Sequence, residues 1–422
     1  MHPLIWKTFA AFVLLCIIIQ QIQRLPWSRQ SPSTKHKSTA ESQGADQSTP
    51  DETVEHYHWQ YNWLKDRDDY SLSAAQCDAA FPELYYEIHR AATRWQGQHI
   101  TPDMIGLNDE GKAGVHVLIA DNKIRIVNSR GSEEPESLSR IHGILQQLDR
   151  AITSVEGVEK EFSNTEFAID LDDYPSLSSN RRLAMWSSMR NLRDRLHDDI
   201  WVAPDSQWWL ALPSGMPFED AQARARGHSS LLDNKNPVAF WRGDPSTRAD
   251  VHSELLEVAQ DQFLTNARLL DSSEGEIGAP AEHLCDYRFL INLGDPSALS
   301  RLKTILNCDS VPIINDLTSV THYSHLLETN ISYVPVAKDF SNLADQVEYY
   351  LVDEEEAQYI ADSARMTFRE RYTTPAATAC YWRKLLRVWS SVSFAPTLYG
   401  ESYPQAGDWK IRGVSLDEYL YV

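Results

Sequence analysis

Two short stretches of this 422-residue chain bring arginine and hydroxyl side chains together in a way that suits phosphate binding. The first is residues 240–248, in which an apolar run leads into a turn that contains Arg242, Gly243, Ser246, Thr247 and Arg248. Arginine presents a planar fork of N–H donors that matches phosphate oxygens. Ligands of α/β folds bind at the carboxyl ends of strands, where this turn would lie. The turn suits a diphosphate or its sugar, and a solvated turn that caps the next helix is the alternative.

The second stretch, residues 287–314, has the pattern of one strand–loop–helix–strand unit. Its apolar strand (residues 289–291) runs into a Gly/Pro/Ser loop that begins at Asn292, and Ser300 and Arg301 then open an amphipathic helix. The start of a helix exposes backbone N–H groups that favour an anion, and the arginine adds its own donors. The pattern predicts a grip on a nucleotide diphosphate. A serine that only caps the helix is the simpler alternative.

A third stretch could supply a base. Residues 170–175 (DLDDYP) follow a short apolar run, so their carboxylates would lie at a strand end. A carboxylate there could accept the proton of an acceptor hydroxyl. Asp170 and Asp172 also fit a loose two-carboxylate pattern for a divalent metal, and an acidic turn closed by Pro175 is the plain alternative. Farther on, Trp208 and Trp209 could stack on a sugar, or could simply be buried.

Composition narrows the classes of partner. The formal net charge of −21 argues against nucleic-acid backbones and anionic membrane surfaces. The chain length suggests two domains, each with its own core. Residues 1–19 contain a twelve-residue apolar run after Lys7 without a small-residue cleavage site, which favours an uncleaved signal-anchor. Residues 20–56 are rich in polar residues and are predicted to form a disordered stem.

Four cysteines lie outside the N-terminal segment, an even number that permits two disulfides in an oxidising compartment. Cys285 and Cys308 bracket the strand–loop–helix unit, which favours a local bridge. Cys77 and Cys380 would then join the start of the folded region to its end. Other pairings, and four reduced thiols in a cytosolic chain, are the alternatives. Asn330 lies in an N-glycosylation sequon, Asn-Ile-Ser.

Periodicity predicts an α/β fold. The expected elements of the first half are a hairpin over residues 115–127, a helix through Leu138 and Leu148, a strand at 167–171 and a helix at 181–196. Those of the second half are strands at 238–241, 289–291, 311–314 and 333–336 and helices at 342–372 and 376–392. Strands alternate with helices in both halves, which predicts two doubly wound lobes that face each other across a cleft.

Taken in order, these stretches resemble glycosyltransferase family 90, which comprises protein O-glucosyltransferases and capsule-associated xylosyltransferases. The resemblance spans roughly residues 64–392 and rests on Asp173-Tyr174-Pro175, Phe240-Trp241-Arg242-Gly243 with Ser246-Thr247, Tyr287-Arg288-Phe289-Leu290-Ile291-Asn292-Leu293, Ser300-Arg301-Leu302-Lys303, Cys308-Asp309-Ser310-Val311, Tyr333-Val334-Pro335-Val336 and Tyr381-Trp382.

The resemblance implies a GT-B fold of two Rossmann-like lobes and an inverting, metal-independent transfer from UDP-glucose or UDP-xylose, with no further cofactor. It implies that Asp173 is the catalytic base. The donor-binding residues that we predict are Arg242, Gly243, Ser246, Thr247, Arg248, Asn292, Ser300, Arg301 and Ser310. Trp208 and Trp209 are predicted to contact the acceptor, a glycan or a glycoprotein.

The predicted organisation is a signal-anchor (residues 1–19), a stem (20–56), an N-terminal acceptor-side lobe (57–230), a C-terminal nucleotide-sugar-binding lobe (231–392) and a C-terminal extension (393–422). The anchor, and a C-terminus that lacks an endoplasmic-reticulum retention tetrapeptide, favour a single-pass Golgi protein with a lumenal catalytic domain, with the endoplasmic reticulum as the alternative. Two other functions are open: a non-catalytic lumenal glycan-binding protein derived from a transferase, and a metal-dependent GT-A-type transferase that uses Asp170 and Asp172.

Overall fold

The computed structural model describes residues 59–107, 111–157, 162–175, 177, 182–211, 216–243, 249–260, 265–269, 281–294, 299–401 and 409–421. The predicted anchor and stem lie outside the described residues, as do Ser246, Thr247 and Arg248. Within the described ranges, no helix is long and apolar enough to cross a membrane.

The described residues form a mixed α/β fold. Its helices are α1 (Trp63–Asp66), α2 (Ala74–Ala80), α3 (Tyr86–Trp95), α4 (Pro135–Thr153), α5 (Phe218–Gly227), α6 (Ala249–Gln260), α7 (Ala281–Leu284), α8 (Leu299–Ile305), α9 (Leu343–Val352), α10 (Glu354–Thr367), α11 (Pro375–Val392) and α12 (Leu416–Leu420).

Its strands are β1 (Gly114–Ala120), β2 (Lys123–Arg130), β3 (Thr165–Asp170), β4 (Trp186–Ser187), β5 (Arg190–Asn191), β6 (Trp201–Val202), β7 (Leu210–Ala211), β8 (Met216–Pro217), β9 (Asn236–Gly243), β10 (Thr265–Leu269), β11 (Tyr287–Asn292), β12 (Val311–Ile314), β13 (Ser319–Val320), β14 (Val334–Pro335), β15 (Tyr399–Glu401), β16 (Trp409–Ile411) and β17 (Val414–Ser415).

The first sheet has the order β17-β2-β1-β3-β4-β6. The predicted hairpin is present, because β1 and β2 pair antiparallel around a two-residue turn at Asp121 and Asn122. Both turn residues have positive φ, 51° and 62°, which is the conformation that the tightest hairpin turns require and that Asp and Asn tolerate. β3 pairs with the other edge of β1, and its carboxyl end leads into the acidic turn.

Helices α4 and α11 pack together and contribute to the core beside the first sheet. The predicted apolar stripe of α4, including Ile141, Leu145 and Leu148, is buried. The aromatic face of α11, a helix that the predicted C-terminal lobe includes, belongs to this core. The indole nitrogen of Trp389 donates to the carbonyl of Glu166 (3.1 Å), and the hydroxyl of Tyr381 donates to the carbonyl of Val202 (2.7 Å).

The second sheet is parallel throughout, with the order β10-β9-β11-β12-β14. Its central strand β11 is almost wholly buried, as expected for a parallel strand covered on both faces. Phe289 and Ile291 belong to the core that also holds residues of α9 and α10, whereas Leu290 packs with Ile305 of α8. The predicted strand–loop–helix–strand unit is therefore present as β11, α8 and β12.

The prediction of a helix over residues 181–196 is wrong. The described part of this stretch, from residue 182 on, forms β4, β5 and the start of a 3₁₀ turn at Arg195–Asp199. Trp186 explains the difference, because it pairs with Trp201 in the sheet and its ring stacks on that of Phe167 at 3.9 Å. These contacts with distant residues override the local helical spacing.

Two disulfides join the cysteine pairs that the sequence favoured, Cys77 with Cys380 and Cys285 with Cys308. Cys285 and Cys308 precede β11 and β12, so their bond closes the amino-terminal edge of the parallel sheet. Cys77 lies on α2 and Cys380 on α11. That bond ties the start of the described chain to its last long helix.

Candidate active site

The acidic turn after β3 is held in shape by backbone hydrogen bonds to the carboxylates of Asp170 and Asp172. Oδ1 of Asp170 accepts a hydrogen bond from the backbone N–H of Asp172 (2.9 Å). The carboxylate of Asp172 accepts the N–H groups of Lys112 (2.8 Å) and Ala113 (2.9 Å). Asp170 and Asp172 thus hold the backbone in shape, and the next residue, Asp173, projects from a fixed turn.

Asp173 is the exposed carboxylate of this turn, with 64% of its side chain accessible. Nη1 of Arg140 donates to Oδ1 of Asp173 (2.7 Å) and to the carbonyl of Leu171 (3.1 Å). Burial disfavours the charged guanidinium, but the carboxylates of Asp173 and Glu136 hold the pKa of Arg140 above its ordinary value. The arrangement orients one carboxylate oxygen and leaves the group open to solvent.

The segment after β5 forms a wall beside Asp173. The hydroxyl of Tyr174 lies 3.4 Å from Oδ2 of Asp194, and the Tyr174 ring centroid lies 4.9 Å from that of His197. Nδ1 of His197 accepts the N–H of Asn191 (2.9 Å), and burial lowers the pKa of this imidazole. His197 is therefore neutral at physiological pH and anchors the segment.

The same segment reaches the second sheet. Nη2 of Arg193 lies 2.6 Å from Oδ2 of Asp316, just after β12. The N–H of Leu192 donates to the carbonyl of Thr318 (2.7 Å), and β5 pairs with β13. These contacts put the wall beside Asp173 against the carboxyl ends of the parallel strands, where α/β folds bind ligands.

Glycines at two of these strand ends allow close approach. A Cβ on Gly294, after β11, would lie 1.1 Å from the carbonyl oxygen of Asp316. A Cβ on Gly243, the last residue of β9, would lie 2.0 Å from the Trp241 ring. Only glycine fits at either position, so these two strand ends pack closely against the Trp241 ring and the backbone of Asp316.

The predicted donor arginines occupy different surroundings. The guanidinium carbon of Arg301, on α8, lies 5.6 Å from the centroid of the Trp241 ring, so Arg301 stands close to the end of β9. Arg242 lies 4.1 Å from the ring of Phe240 and donates to the carbonyl of Trp241 (2.8 Å). The structure thus brings together Arg301 and the Trp241–Gly243 strand end and folds Arg242 back along its own strand.

Two predicted donor residues are packed inside the parallel sheet. Ser310 is buried at the amino end of β12 and donates to the carbonyl of Tyr287 (2.7 Å). It lies at the edge opposite to the glycines, away from the strand ends at which the donor is predicted to bind. Asn292 is also buried, and its amide donates to the carbonyl of Leu293 (2.9 Å). Its Oδ1 has no hydrogen-bond partner among the described residues.

Trp208, which is predicted to contact the acceptor, has a buried ring. It is 6% exposed, and its centroid lies 5.1 Å from that of Phe218 and 5.8 Å from that of Tyr323. Trp209 is half-buried, with the guanidinium of Arg150 4.2 Å from its ring. Neither contact involves the Asp173 turn.

The family is decided by comparison of sequences. The model of the family described as "Glycosyl transferase family 90" matches residues 74–398. The chain belongs to glycosyltransferase family 90. Protein O-glucosyltransferase 1 of Homo sapiens is 23% identical over 301 residues, which cover 66% of this chain and 72% of that protein. Protein O-glucosyltransferase 2 of Danio rerio is 26% identical over 179 residues, which cover 40% of this chain but only 35% of that protein.

Among solved structures, a glycosyltransferase from Rickettsia africae ESF-5 aligns with a TM-score of 0.26 and 14% identity. The alignment covers 41% of this chain and 42% of that one. Similarity at this level carries no argument about the fold. Membership of family 90 makes the chain a glycosyltransferase by family. The identity of the donor and of the acceptor depends on the side chains of its own site.

Several residues of this candidate site gave no usable signal in the sequence. Arg140 reads as one polar position on an amphipathic helix. Arg193 and Asp316 are 123 residues apart in sequence, and nothing local links them. Gly294 was visible as part of a small-residue loop, but its need to lack a side chain comes from the distant Asp316. Among the described residues, no cluster of three or more His, Cys, Asp or Glu side chains could hold a metal ion.

Proposed function

We propose that the chain is an inverting, metal-independent glycosyltransferase that moves glucose or xylose from a UDP-sugar to a hydroxyl group of a glycan or glycoprotein. In this proposal the two sheets are the cores of two GT-B lobes. The carboxyl edge of the parallel sheet holds the donor, and the side of the first sheet that carries Asp173 receives the acceptor. Membership of family 90 supports this assignment.

One observation carries the proposal. Asp173 is an exposed carboxylate that Arg140 orients, and the adjoining wall contacts the carboxyl edge of the parallel sheet through Arg193 and Asp316. These contacts support a general base near the edge where α/β folds bind nucleotides. The arrangement suits a reaction between an acceptor hydroxyl and a sugar held on a diphosphate.

The chemistry follows from these positions. The carboxylate of Asp173 takes the proton of the acceptor hydroxyl, whose oxygen forms a bond to the anomeric carbon of the sugar. The bond between that carbon and the phosphate oxygen breaks, and attack from the opposite face inverts the anomeric configuration. UDP leaves with the bonding electrons, and the guanidinium of Arg301 stabilises the charge that develops on its phosphate.

Exposed apolar side chains near the base support an acceptor surface there. Tyr174 is 40% exposed, Leu192 53% and Leu196 40%, and all three belong to the acidic turn or to the wall beside it. They replace Trp208 as the candidates for acceptor contact. Apolar side chains exposed beside a base would exclude water from the hydroxyl that reacts.

Binding of UDP tests the proposal. Isothermal titration of the folded chain with UDP, with GDP as the control, should show binding of UDP alone. A screen of UDP-sugars, each with and without EDTA, should identify glucose or xylose as the sugar released, at a rate that EDTA leaves unchanged. A folded chain that does not bind UDP would refute the proposal. Activity lost in EDTA would support the metal-dependent alternative instead.

We also propose that the chain resides in the secretory pathway, in the Golgi or endoplasmic reticulum membrane, anchored by residues 1–19 with its folded part in the lumen. The two disulfides support an oxidising compartment. Asn330 is exposed with a φ of 59° and is the proposed glycosylation site. A shift in mobility on treatment with a peptide N-glycosidase, lost in Asn330→Gln, would support both the lumenal location and the site; a protease-accessible, unshifted chain would refute them.

A further inference from the structure

Helix α8 carries a buried lysine two residues after Arg301. Lys303 is 1% exposed, and its Nζ lies 3.4 Å from Oδ1 of Asp205. The ring centroids of Phe218 and Trp208 lie 4.3 Å and 4.8 Å from the same nitrogen. Asp205 follows β6 of the first sheet, so this ion pair joins the helix of the proposed donor site to the other side of the molecule.

Stability alone does not explain a lysine at this position. Taking an ammonium group out of water is costly, and apolar residues of similar volume often replace a buried ion pair without loss of stability. Leu302 and Leu306 already bury α8 in the core around the first sheet. A methionine would fill the space between Phe218 and Trp208 equally well. The charge is therefore better explained by a role in fixing the orientation of α8 than by a contribution to stability.

The ion pair can fix the rotation of α8. Successive helical residues differ by about 100° around the axis, so Lys303 and Arg301 point to roughly opposite sides. Asp205 holds Lys303 on the buried side, and the guanidinium of Arg301 is then near Trp241. Asp205 is itself held, because its Oδ1 accepts the N–H of Gln207 (2.7 Å) and its carbonyl accepts the amide of Gln147 (2.8 Å).

We propose that Lys303 is a positioning residue that, through its ion pair with Asp205, aims Arg301 at the diphosphate of the donor. This inference rests on the proposed function, because it assumes that Arg301 contacts UDP. Lys303 itself does not touch the donor. Loss of its charge leaves α8 packed by its leucines but free to rotate by small angles.

The ion pair makes donor binding sensitive to pH. Burial lowers the pKa of Lys303 to about 8, against the opposing effect of Asp205. Two further titratable groups face this cluster. Burial lowers the pKa of His322 to about 3 and raises that of Tyr323, so both stay neutral near pH 8. The affinity for UDP should therefore fall as Lys303 loses its proton.

Global stability should change in the opposite direction. The pKa of Lys303 is lower in the folded chain than the ordinary lysine value of about 10.4, so the unfolded chain binds more protons between about pH 8 and 10.4. This group then makes folding more favourable as pH rises through that range. When the charge is removed by substitution, a merely structural role would lower UDP affinity and stability together, whereas a positioning role would lower the affinity alone.

The variants Lys303→Met and Asp205→Asn test the inference, because both remove the ion pair and Asn keeps the acceptor for Gln207. Lys384→Met is the matched control, since Lys384 forms a 3.0 Å pair with Asp78 away from the site. Isothermal titration with UDP and thermal unfolding are measured at pH 7 and pH 9. Both test variants should bind UDP about tenfold more weakly at pH 7, and the methionine variant should show no change in affinity between the two pH values. The control should match the wild type.

The outcomes distinguish failure of the positioning role of Lys303 from failure of the proposed function. A wild-type chain that binds UDP, together with a Lys303→Met variant that binds it equally well, would overturn this inference alone. A wild-type affinity that is constant between pH 7 and pH 9 would also overturn it. If the methionine variant does not fold, Asp205→Asn decides in its place. A folded wild-type chain that binds no UDP would overturn both the proposed function and this inference.

Discussion

Arg140 holds both the side chain of Asp173 and the backbone that leads into its turn. The same nitrogen donates to Oδ1 of Asp173 at 2.7 Å and to the carbonyl of Leu171 at 3.1 Å. Because Arg140 lies in the first half of the 19-residue helix α4, the carboxylate is fixed to a rigid element and not only to its own turn. Orientation of the base and its chemistry can therefore be altered separately.

Replacement of the base itself gives the first prediction. Asp173→Asn keeps an acceptor oxygen for Arg140 but removes the capacity to take a proton. We expect transfer to fall by about 10²–10⁴-fold, with the affinity for UDP unchanged because Asp173 faces the acceptor. Initial rates with a UDP-sugar and titration with UDP measure the two effects. A variant that retains transfer would remove Asp173 from this role.

Replacement of its partner should have a smaller effect. Arg140→Met leaves the carboxylate in place without its orienting donor, so kcat should fall about tenfold with the KM for the donor unchanged. Glu136→Gln is the control, because Glu136 contacts the other arm of the guanidinium, Nη2, at 2.8 Å. It should retain nearly full activity. An equal rise of the donor KM in Arg140→Met would contradict an effect confined to the base.

The glycine at the end of β11 gives a prediction about packing. In Gly294→Ala the new Cβ would lie 1.1 Å from the carbonyl oxygen of Asp316, which is backbone and cannot rotate away. We expect a loss of about 2–3 kcal/mol of stability and weaker binding of UDP. Gly227→Ala is the control, since its Cβ would meet nothing within 4 Å. Urea unfolding of both variants measures the difference, and equal stabilities would contradict the close approach.

Elements with local signals were predictable from the sequence. The β1–β2 hairpin follows from alternating apolar residues around Asp121 and Asn122, whose types suit positive φ. The β11–α8–β12 unit follows from two apolar runs that flank an amphipathic helix. In both cases neighbouring residues supply the reason for the structure, so one sequence is enough to find it.

The parts that failed depend on partners far away in the chain. β4 is two residues long and exists because Trp186 pairs with Trp201 and stacks on Phe167. Trp208 is predicted to contact the acceptor, but Phe218 and Tyr323 pack against its ring. Ser310 lies at the amino edge of the sheet, just before β12, because α8 runs back along β11. Local spacing contains none of this information, since tertiary packing decides it.

The two disulfides should contribute unequally to stability. Cys77 and Cys380 are 303 residues apart, whereas Cys285 and Cys308 are 23 apart. By loop-closure entropy, the long loop contributes about 6 kcal/mol and the short one about 3 kcal/mol. Denaturant unfolding of the two double serine variants should therefore show the larger loss in Cys77→Ser/Cys380→Ser. Equal losses would contradict an origin in the entropy of the unfolded chain.

The buried carboxyl of the acidic turn predicts how stability varies with pH. Burial raises the pKa of Asp170 to about 7, so the folded chain binds more protons than the unfolded chain between about pH 4 and pH 7. The contribution of Asp170 to the free energy of unfolding is therefore largest at low pH and is lost as the pH rises through 7.

Asp170→Asn keeps the acceptor for the N–H of Asp172 without the charge. It should be more stable than the wild type at pH 8, by up to about 4 kcal/mol, and this advantage should shrink towards pH 5. Thermal unfolding at both pH values measures this difference in stability, with Asp121→Asn in the hairpin turn as the control. A difference between variant and wild type that stays constant with pH would show that the charge of Asp170 does not cause it.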